Sequence, residues 1–215
     1  MKLKPKGIIT PIITPFTENG EINELVMRGI IRNQIENGVE GLLPMGTTGE
    51  FYAFYNNLDG LRRLLEITVE AAAGKAVVYA GCNDLTTRGT VALTKIAEKA
   101  GVDAVSILSP IFTCPKQNEI YAYFKDISEQ TTLPVVMYDN KLKTGSTIEP
   151  QTVARLAELE NIVGIKDTTG DFTNTEECIR LTKGNDSFSV LVGRDIMIYA
   201  GLCYGAAGKR QTVCR

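Results

Sequence analysis

Short runs of Ile, Val, Leu and Ala, each bounded by Gly, Pro or Asp, recur along the chain, and each is followed by a stretch with the apolar spacing of a helix. Such runs read as strands buried on both faces, and their alternation with helices at about 30 residues per unit reads as a parallel sheet of βα units. The predicted strands are 7–16, 38–46, 76–82, 103–110, 133–139, 162–167 and 188–193, with an eighth beginning at Gly205-Ala206-Ala207-Gly208. The first intervening helix carries Leu25, Val26, Ile30 and Ile35 on its expected buried side and ends at Asn37-Gly38. The third runs from about Thr87 to Ala100, with Val91, Leu93, Ile96, Ala97 and Ala100 facing inward and Gly101 as its stop. No linker or low-complexity stretch interrupts the series, so one domain is expected over residues 1–208, followed by a polar tail over 209–215.

Strict alternation leaves two architectures, an open doubly wound sheet and a (β/α)8 barrel. A dinucleotide-binding doubly wound sheet calls for G-x-G-x-x-G after the first strand, where this chain has Thr14-Pro15-Phe16-Thr17-Glu18-Asn19-Gly20. A barrel places chemistry at the C-terminal ends of several strands, which is where the unusual residues lie.

Composition narrows the chemistry. The chain has no histidine, which removes Ser-His and Cys-His nucleophile pairs, imidazole bases and histidine metal sites. The five cysteines, Cys82, Cys114, Cys178, Cys203 and Cys214, never form C-x-x-C, so reduced and mostly buried thiols are expected rather than a disulfide framework or zinc ribbon. With 23 basic and 25 acidic residues the net charge is -2, which offers no footprint for nucleic acid or an anionic membrane surface. No stretch approaches about 18 uninterrupted apolar residues, and the start lacks a secretory apolar core, so a cytoplasmic protein with a small-molecule partner is expected.

Three positions could carry chemistry. Lys166 ends the run Ile162-Val163-Gly164-Ile165-Lys166, where burial would disfavour its charge and supply the free amine that attacks a ketone. The alternative is a lysine that snorkels to solvent, paired with Asp167. Tyr138 ends Leu133-Pro134-Val135-Val136-Met137-Tyr138 in the same register relative to its strand end, as a proton relay or as a rim aromatic packed under a loop. Gly46-Thr47-Thr48-Gly49-Glu50 follows the second strand as a tight turn able to hold a carboxylate; the alternative is an ordinary βα turn capped by Thr48. It lacks the Gly-Lys-Ser/Thr ending of a phosphate-binding loop.

Taken with Thr14-Pro15-Phe16 and Val163-Gly164-Ile165-Lys166-Asp167, these segments resemble, in order and spacing, the dihydrodipicolinate synthase / N-acetylneuraminate lyase family of class I aldolases. The resemblance runs from Gly7 to about Gly208. It implies a TIM barrel in which Lys166 forms a Schiff base with pyruvate or another 2-keto acid, Tyr138 relays protons and Thr47 joins that relay. It further implies that Thr48 and the backbone N–H groups of Gly46 to Gly49 bind the pyruvate carboxylate. No metal or organic cofactor is implied, and full-length relatives are expected to be homo-oligomers.

Departures from the family pattern bear on the second substrate. Where dihydrodipicolinate synthases usually place a tyrosine that joins a neighbouring subunit's relay, Pro110-Ile111-Phe112-Thr113 offers Phe112, without a hydroxyl. Where they usually carry an arginine for the second substrate's carboxylate, the match is Lys143, cationic but without a bidentate fork. Sialic-acid lyases usually have an acidic pair after the seventh strand, and this chain has Gly193-Arg194-Asp195-Ile196. A lyase of the dihydrodipicolinate synthase type is therefore expected, with a 2-keto-3-deoxy sugar acid aldolase or dehydratase as the alternative.

Relatives normally continue with a full eighth strand and further helices, where this chain has Lys209-Arg210-Gln211-Thr212-Val213-Cys214-Arg215. That ending suggests a barrel truncated within its eighth unit, by a frameshift, a stop or a sequence error. Unpaired edges on the first and seventh strands would then be expected to invite aggregation. An inactive product or a non-catalytic 2-keto acid sensor are the corresponding alternatives to an active enzyme.

Overall fold

The apolar runs form strands and the periodic stretches form helices, in alternation, in the computed structural model, which describes residues 3–209. The strands are β1 (Gly7–Pro11), β2 (Gly41–Leu43), β3 (Val77–Gly81), β4 (Ala104–Leu108), β5 (Val135–Asp139), β6 (Ile162–Asp167), β7 (Ser189–Val192) and β8 (Gly208–Lys209). All seven predicted strands are present but most are shorter. β1 stops at Pro11, which has no N–H for a ladder, and β2 gives way to Pro44 and the turn around Gly46.

The longer helices are α1 (Glu24–Glu36), α2 (Leu58–Ala72), α3 (Thr87–Ala100), α4 (Gln117–Gln130) and α7 (Phe172–Thr182); α5 (Lys141–Thr144), α6 (Pro150–Leu156) and α8 (Ile198–Tyr204) are short. α3 matches its predicted span, opening on the Thr86 side chain, which accepts from the Gly89 N–H, and ending at Gly101 with φ 80°. The buried side of α1 differs from expectation: Met27 and Ile31 are fully buried, Ile30 and Ile35 pack at the edge of the core, and Leu25 and Val26 are exposed. Met27 and Ile31 lie one turn apart at i, i+4, a spacing that outweighs the hydrophobicity of the first turn. No helix among the described residues is long and apolar enough to cross a membrane.

Neighbouring strands pair in chain order, all parallel, giving a curled, TIM-barrel-like sheet. The expected open edges on β1 and β7 are not found. The two residues of β8 pair with Gly7 and Ile8 on one side and with Leu191 and Val192 on the other, and the ring is closed. Ala207 reinforces the seam, its N–H bonding the Val190 carbonyl at 3.0 Å and its carbonyl accepting from the Gly7 N–H at 3.3 Å. Gly205, at φ 104°, ends α8 and turns the chain into this seam. Two residues suffice because closure requires a partner for each edge, not a strand of full length. The predicted polar tail lies, beyond Lys209, outside the described residues.

Two apolar layers follow from strand alternation. Ile9, Leu43, Tyr79, Ala104, Val136, Val163 and Leu191 fill the ring interior, while a larger layer including Leu42, Val105, Met137, Ile162 and Ile165 packs between sheet and helices. Of the cysteines, Cys82 and Cys178 are buried as expected, Cys114 and Cys203 are exposed, all four are free, and Cys214 lies outside the described residues.

Candidate active site

Tyr138 and Lys166 meet because of an irregularity in β6. Ile162 pairs with Val135, but the next pair is Gly164 with Val136, so Val163 is an extra residue. Strict alternation from Ile162, which faces the helices, would send Lys166 to the helix side as well. The bulge reverses the parity beyond Val163, and Lys166 points into the ring with its register partner Tyr138. Its Nζ lies 3.8 Å from the centroid of the Tyr138 ring. The lysine is 3% exposed, so it does not snorkel to solvent, and the tyrosine is 5% exposed.

Asp167 is not a partner of Lys166 at its carboxylate, because alternation turns it to the opposite face. Its Oδ1 accepts from the Thr169 N–H and hydroxyl, and its Oδ2 from Asn174 and the Thr175 hydroxyl at 2.7 Å, tying the end of β6 to the start of α7. Its neighbour across the ladder, Asp139, also faces the helices. There Asp139 Oδ2 accepts from the Ile148 N–H at 3.0 Å, while Oδ1 is buried without a partner. Burial, reinforced by the charge of Asp167, pushes the Asp139 carboxyl up to about 8.

The Gly46-Thr47-Thr48-Gly49 turn sits at the C-terminal end of β2, the same end of the sheet as Tyr138 and Lys166 but three and four strands away around the ring, respectively. Thr14 Oγ1 donates to the Gly49 carbonyl at 2.8 Å. A Cβ at Gly49 would lie 2.8 Å from the Ile12 carbonyl, so only glycine lets the turn press against the end of β1. Both threonines are half-buried, and Thr47 Oγ1 is enclosed without a hydrogen-bond partner among the described residues. Thr48 does not cap the following helix; α2 is capped by Asn57, whose side chain accepts from the Gly60 N–H. The turn and the Tyr138–Lys166 pair thus sit at the same end of the barrel.

Beside the lysine, the chain leaves β7 through Gly193, where a Cβ would collide with Thr168 Oγ1 and sit 2.9 Å from Lys166 Cε. A cavity of about 390 Å³ opens here, lined by Asn140, Lys143, Thr168, Gly193 and Arg194 among others. Lys143 is exposed on α5, and Arg194 is half-buried with its Nε donating to the Thr168 carbonyl at 3.2 Å. Of these five residues the sequence reading anticipated only Lys143 as part of a site. Asn140 donates from Nδ2 to Tyr138 Oη at 2.9 Å, and its spacing of two from Tyr138 was the available signal. Gly193 carried none, since its role lies in a contact with β6. Phe112 lies in the loop after β4 at φ 76° and is 87% exposed.

Comparison with known proteins places this geometry in a family. Residues 4–212 match the model of the dihydrodipicolinate synthetase family. A 4-hydroxy-tetrahydrodipicolinate synthase of Syntrophus aciditrophicus is 40% identical over 203 residues, covering 94% of this chain and 68% of its own length. Among solved structures, the dihydrodipicolinate synthase of Thermotoga maritima superposes with a TM-score of 0.91 at 36% identity, over 96% of this chain and 70% of that one. The enzyme of Acinetobacter baumannii, solved complexed with pyruvate, gives 0.91 at 29% identity over the same shares. The chain belongs to the dihydrodipicolinate synthetase family of carbon–carbon lyases.

Proposed function

We propose that this chain is a pyruvate-dependent Schiff-base lyase of the dihydrodipicolinate synthase type, with Lys166 as the covalent residue. The observation that carries the reading is the buried pairing of Lys166 Nζ with the Tyr138 ring at 3.8 Å, at the C-terminal rim of a parallel barrel. The unprotonated amine attacks the ketone carbon of pyruvate, and loss of water leaves an iminium on Nζ. That cation forms against the negative face of the Tyr138 ring, which stabilises it. The iminium withdraws electrons from the neighbouring methyl group, which gives up a proton to become an enamine. The enamine carbon then bonds to an aldehyde acceptor, and water hydrolyses the product from Lys166.

Tyr138 carries protons in these steps, with Thr47 joining the relay; the enclosed, unpartnered Thr47 Oγ1 supports its part. Thr48 and the backbone N–H groups of Gly46 to Gly49 hold the pyruvate carboxylate. Lys143 and Arg194, both lining the cavity beside Gly193, supply positive charge for an acidic group on the second substrate. The arginine adds a fork-shaped donor near the lysine that stands where an arginine is usual.

Proton NMR of pyruvate in deuterium oxide tests the reading. The chain should exchange the methyl protons for deuterium, and Lys166→Ala should not; a wild-type chain that leaves the methyl signal intact would overturn the proposal.

A further inference from the structure

We infer that Asn140 is a positioning residue for Tyr138, fixing the direction in which the phenol hydroxyl gives and takes its proton. The role rests on the Schiff-base reading, because it assigns a task to Tyr138 within that chemistry.

Asn140 is the first residue after β5 and turns its side chain back to the Tyr138 hydroxyl, while Asp139 between them points to the helices. The Asn140 Nδ2 donates to Tyr138 Oη at 2.9 Å, and the two side chains are 7% and 5% exposed. The Asn140 backbone is itself held. Its carbonyl accepts from the Lys143 N–H at 2.8 Å, the Thr144 N–H at 3.1 Å and the Thr144 hydroxyl at 3.2 Å, closing the α5 turn. An amide on so fixed a backbone is a fixed donor.

A tyrosine hydroxyl has one proton, free to rotate, and acceptor lone pairs. With a lone pair engaged by the Asn140 amide, the hydroxyl proton turns away from Asn140 and is left for another acceptor. When the phenol gives up its proton, the same amide donates to the phenolate, and a bond to a charged oxygen is stronger than one to a neutral oxygen. The amide therefore favours the transfer in both its stages. Phe112, at the position where the family usually supplies a relay hydroxyl, is exposed and has none to offer. Asn140 gives Tyr138 a polar partner from within the same chain. It also lines the cavity beside Gly193, placing it between the relay and the space for a second substrate.

The test is a double-mutant cycle on deuterium exchange at the pyruvate methyl group, with borohydride trapping on Lys166 run in parallel. Asn140→Val removes the amide, and the isosteric Asn140→Asp keeps its shape while replacing the donor with an acceptor. Each should lower the exchange kcat about ten-fold or more, the worth of a hydrogen bond to a charged group. The KM for pyruvate should change less than about two-fold, since the interaction is made in the proton transfer and not in binding. In a Tyr138→Phe background neither substitution should lower the rate further. Losses that multiply, or a wild-type rate in Asn140→Asp, would overturn the role. Should Asn140→Val lose its cooperative unfolding transition, Asn140→Asp carries the same comparison alone. A wild-type chain that traps no pyruvate on Lys166 would overturn the Schiff-base reading and this role together, whereas trapping with multiplied losses would overturn the role of Asn140 alone.

Discussion

The Lys166 Nζ stands 3.8 Å from the centre of the Tyr138 ring, and the two residues are partners in the β5–β6 ladder. The contact places the proposed nucleophile and the proposed acid–base group side by side without any loop to position them, since both are held by adjacent strands. A site built on strands in this way is set by the register of the sheet.

Tyr138→Phe keeps the ring against Lys166 and removes only the hydroxyl. Turnover should fall about a hundred-fold or more, the usual contribution of a positioned acid–base group, while unfolding is little changed. Steady-state kinetics beside a thermal melt check this. An unchanged rate would assign Tyr138 to packing.

Gly193→Ala should disturb the lysine from the neighbouring strand. The added methyl would collide with Thr168 Oγ1 and sit 2.9 Å from both Lys166 Cε and the Asp167 carbonyl. Displacing the reacting amine by about 1 Å costs on the order of a hundred-fold in rate, so turnover should fall by that much. A crystal structure of the variant should show Lys166 or the β7 end moved.

Asp139 gives the fold a pH dependence. Its carboxyl, pushed up to about 8 by burial and by Asp167, stays protonated in the folded chain where an unfolded aspartate, near 3.8, has lost its proton. The folded state therefore binds the extra proton between those values, and this group's contribution makes stability fall as pH rises from about 4 to about 8, then level off. Asp139→Asn, which removes the ionisation, should raise the melting temperature at pH 8 by about 2 °C or more and by less at pH 5. Equal shifts at both pH values would contradict the assignment.

Lys143→Ala and Arg194→Ala, singly and together, should raise the KM for an acidic aldehyde acceptor while leaving pyruvate methyl exchange near its wild-type rate. Each lost charge contact should weaken the acceptor by about five-fold or more. Equal losses for pyruvate exchange and for acceptor use would instead place both cations in the pyruvate half of the reaction.

The strand order, the placement of Lys166 and Tyr138 at strand ends and the shape of α3 were all legible, because each depends on local patterning. What was hidden depends on pairing between distant segments. Counting alternate residues back from Lys166 to Ile162 gives the wrong face for the lysine, and only the pairing of Val135 and Val136 with Ile162 and Gly164 reveals the extra residue. Closure was missed for a related reason: Gly208 and Lys209 do not read as an apolar strand, yet their backbone bonds satisfy both neighbours whatever their side chains. On α1, Leu25 and Val26 look buried by composition and are exposed by geometry, since the core touches the helix along Met27 and Ile31.

Borohydride reduction of the 215-residue chain in the presence of pyruvate, followed by peptide mass spectrometry, bears most directly on the central assignment. One pyruvate-derived adduct is expected, on the peptide that carries Lys166, and it should vanish in Lys166→Ala while surviving in Tyr138→Phe at a reduced rate. An adduct on another lysine that persists in Lys166→Ala, or none at all on the folded wild-type chain, would contradict the account.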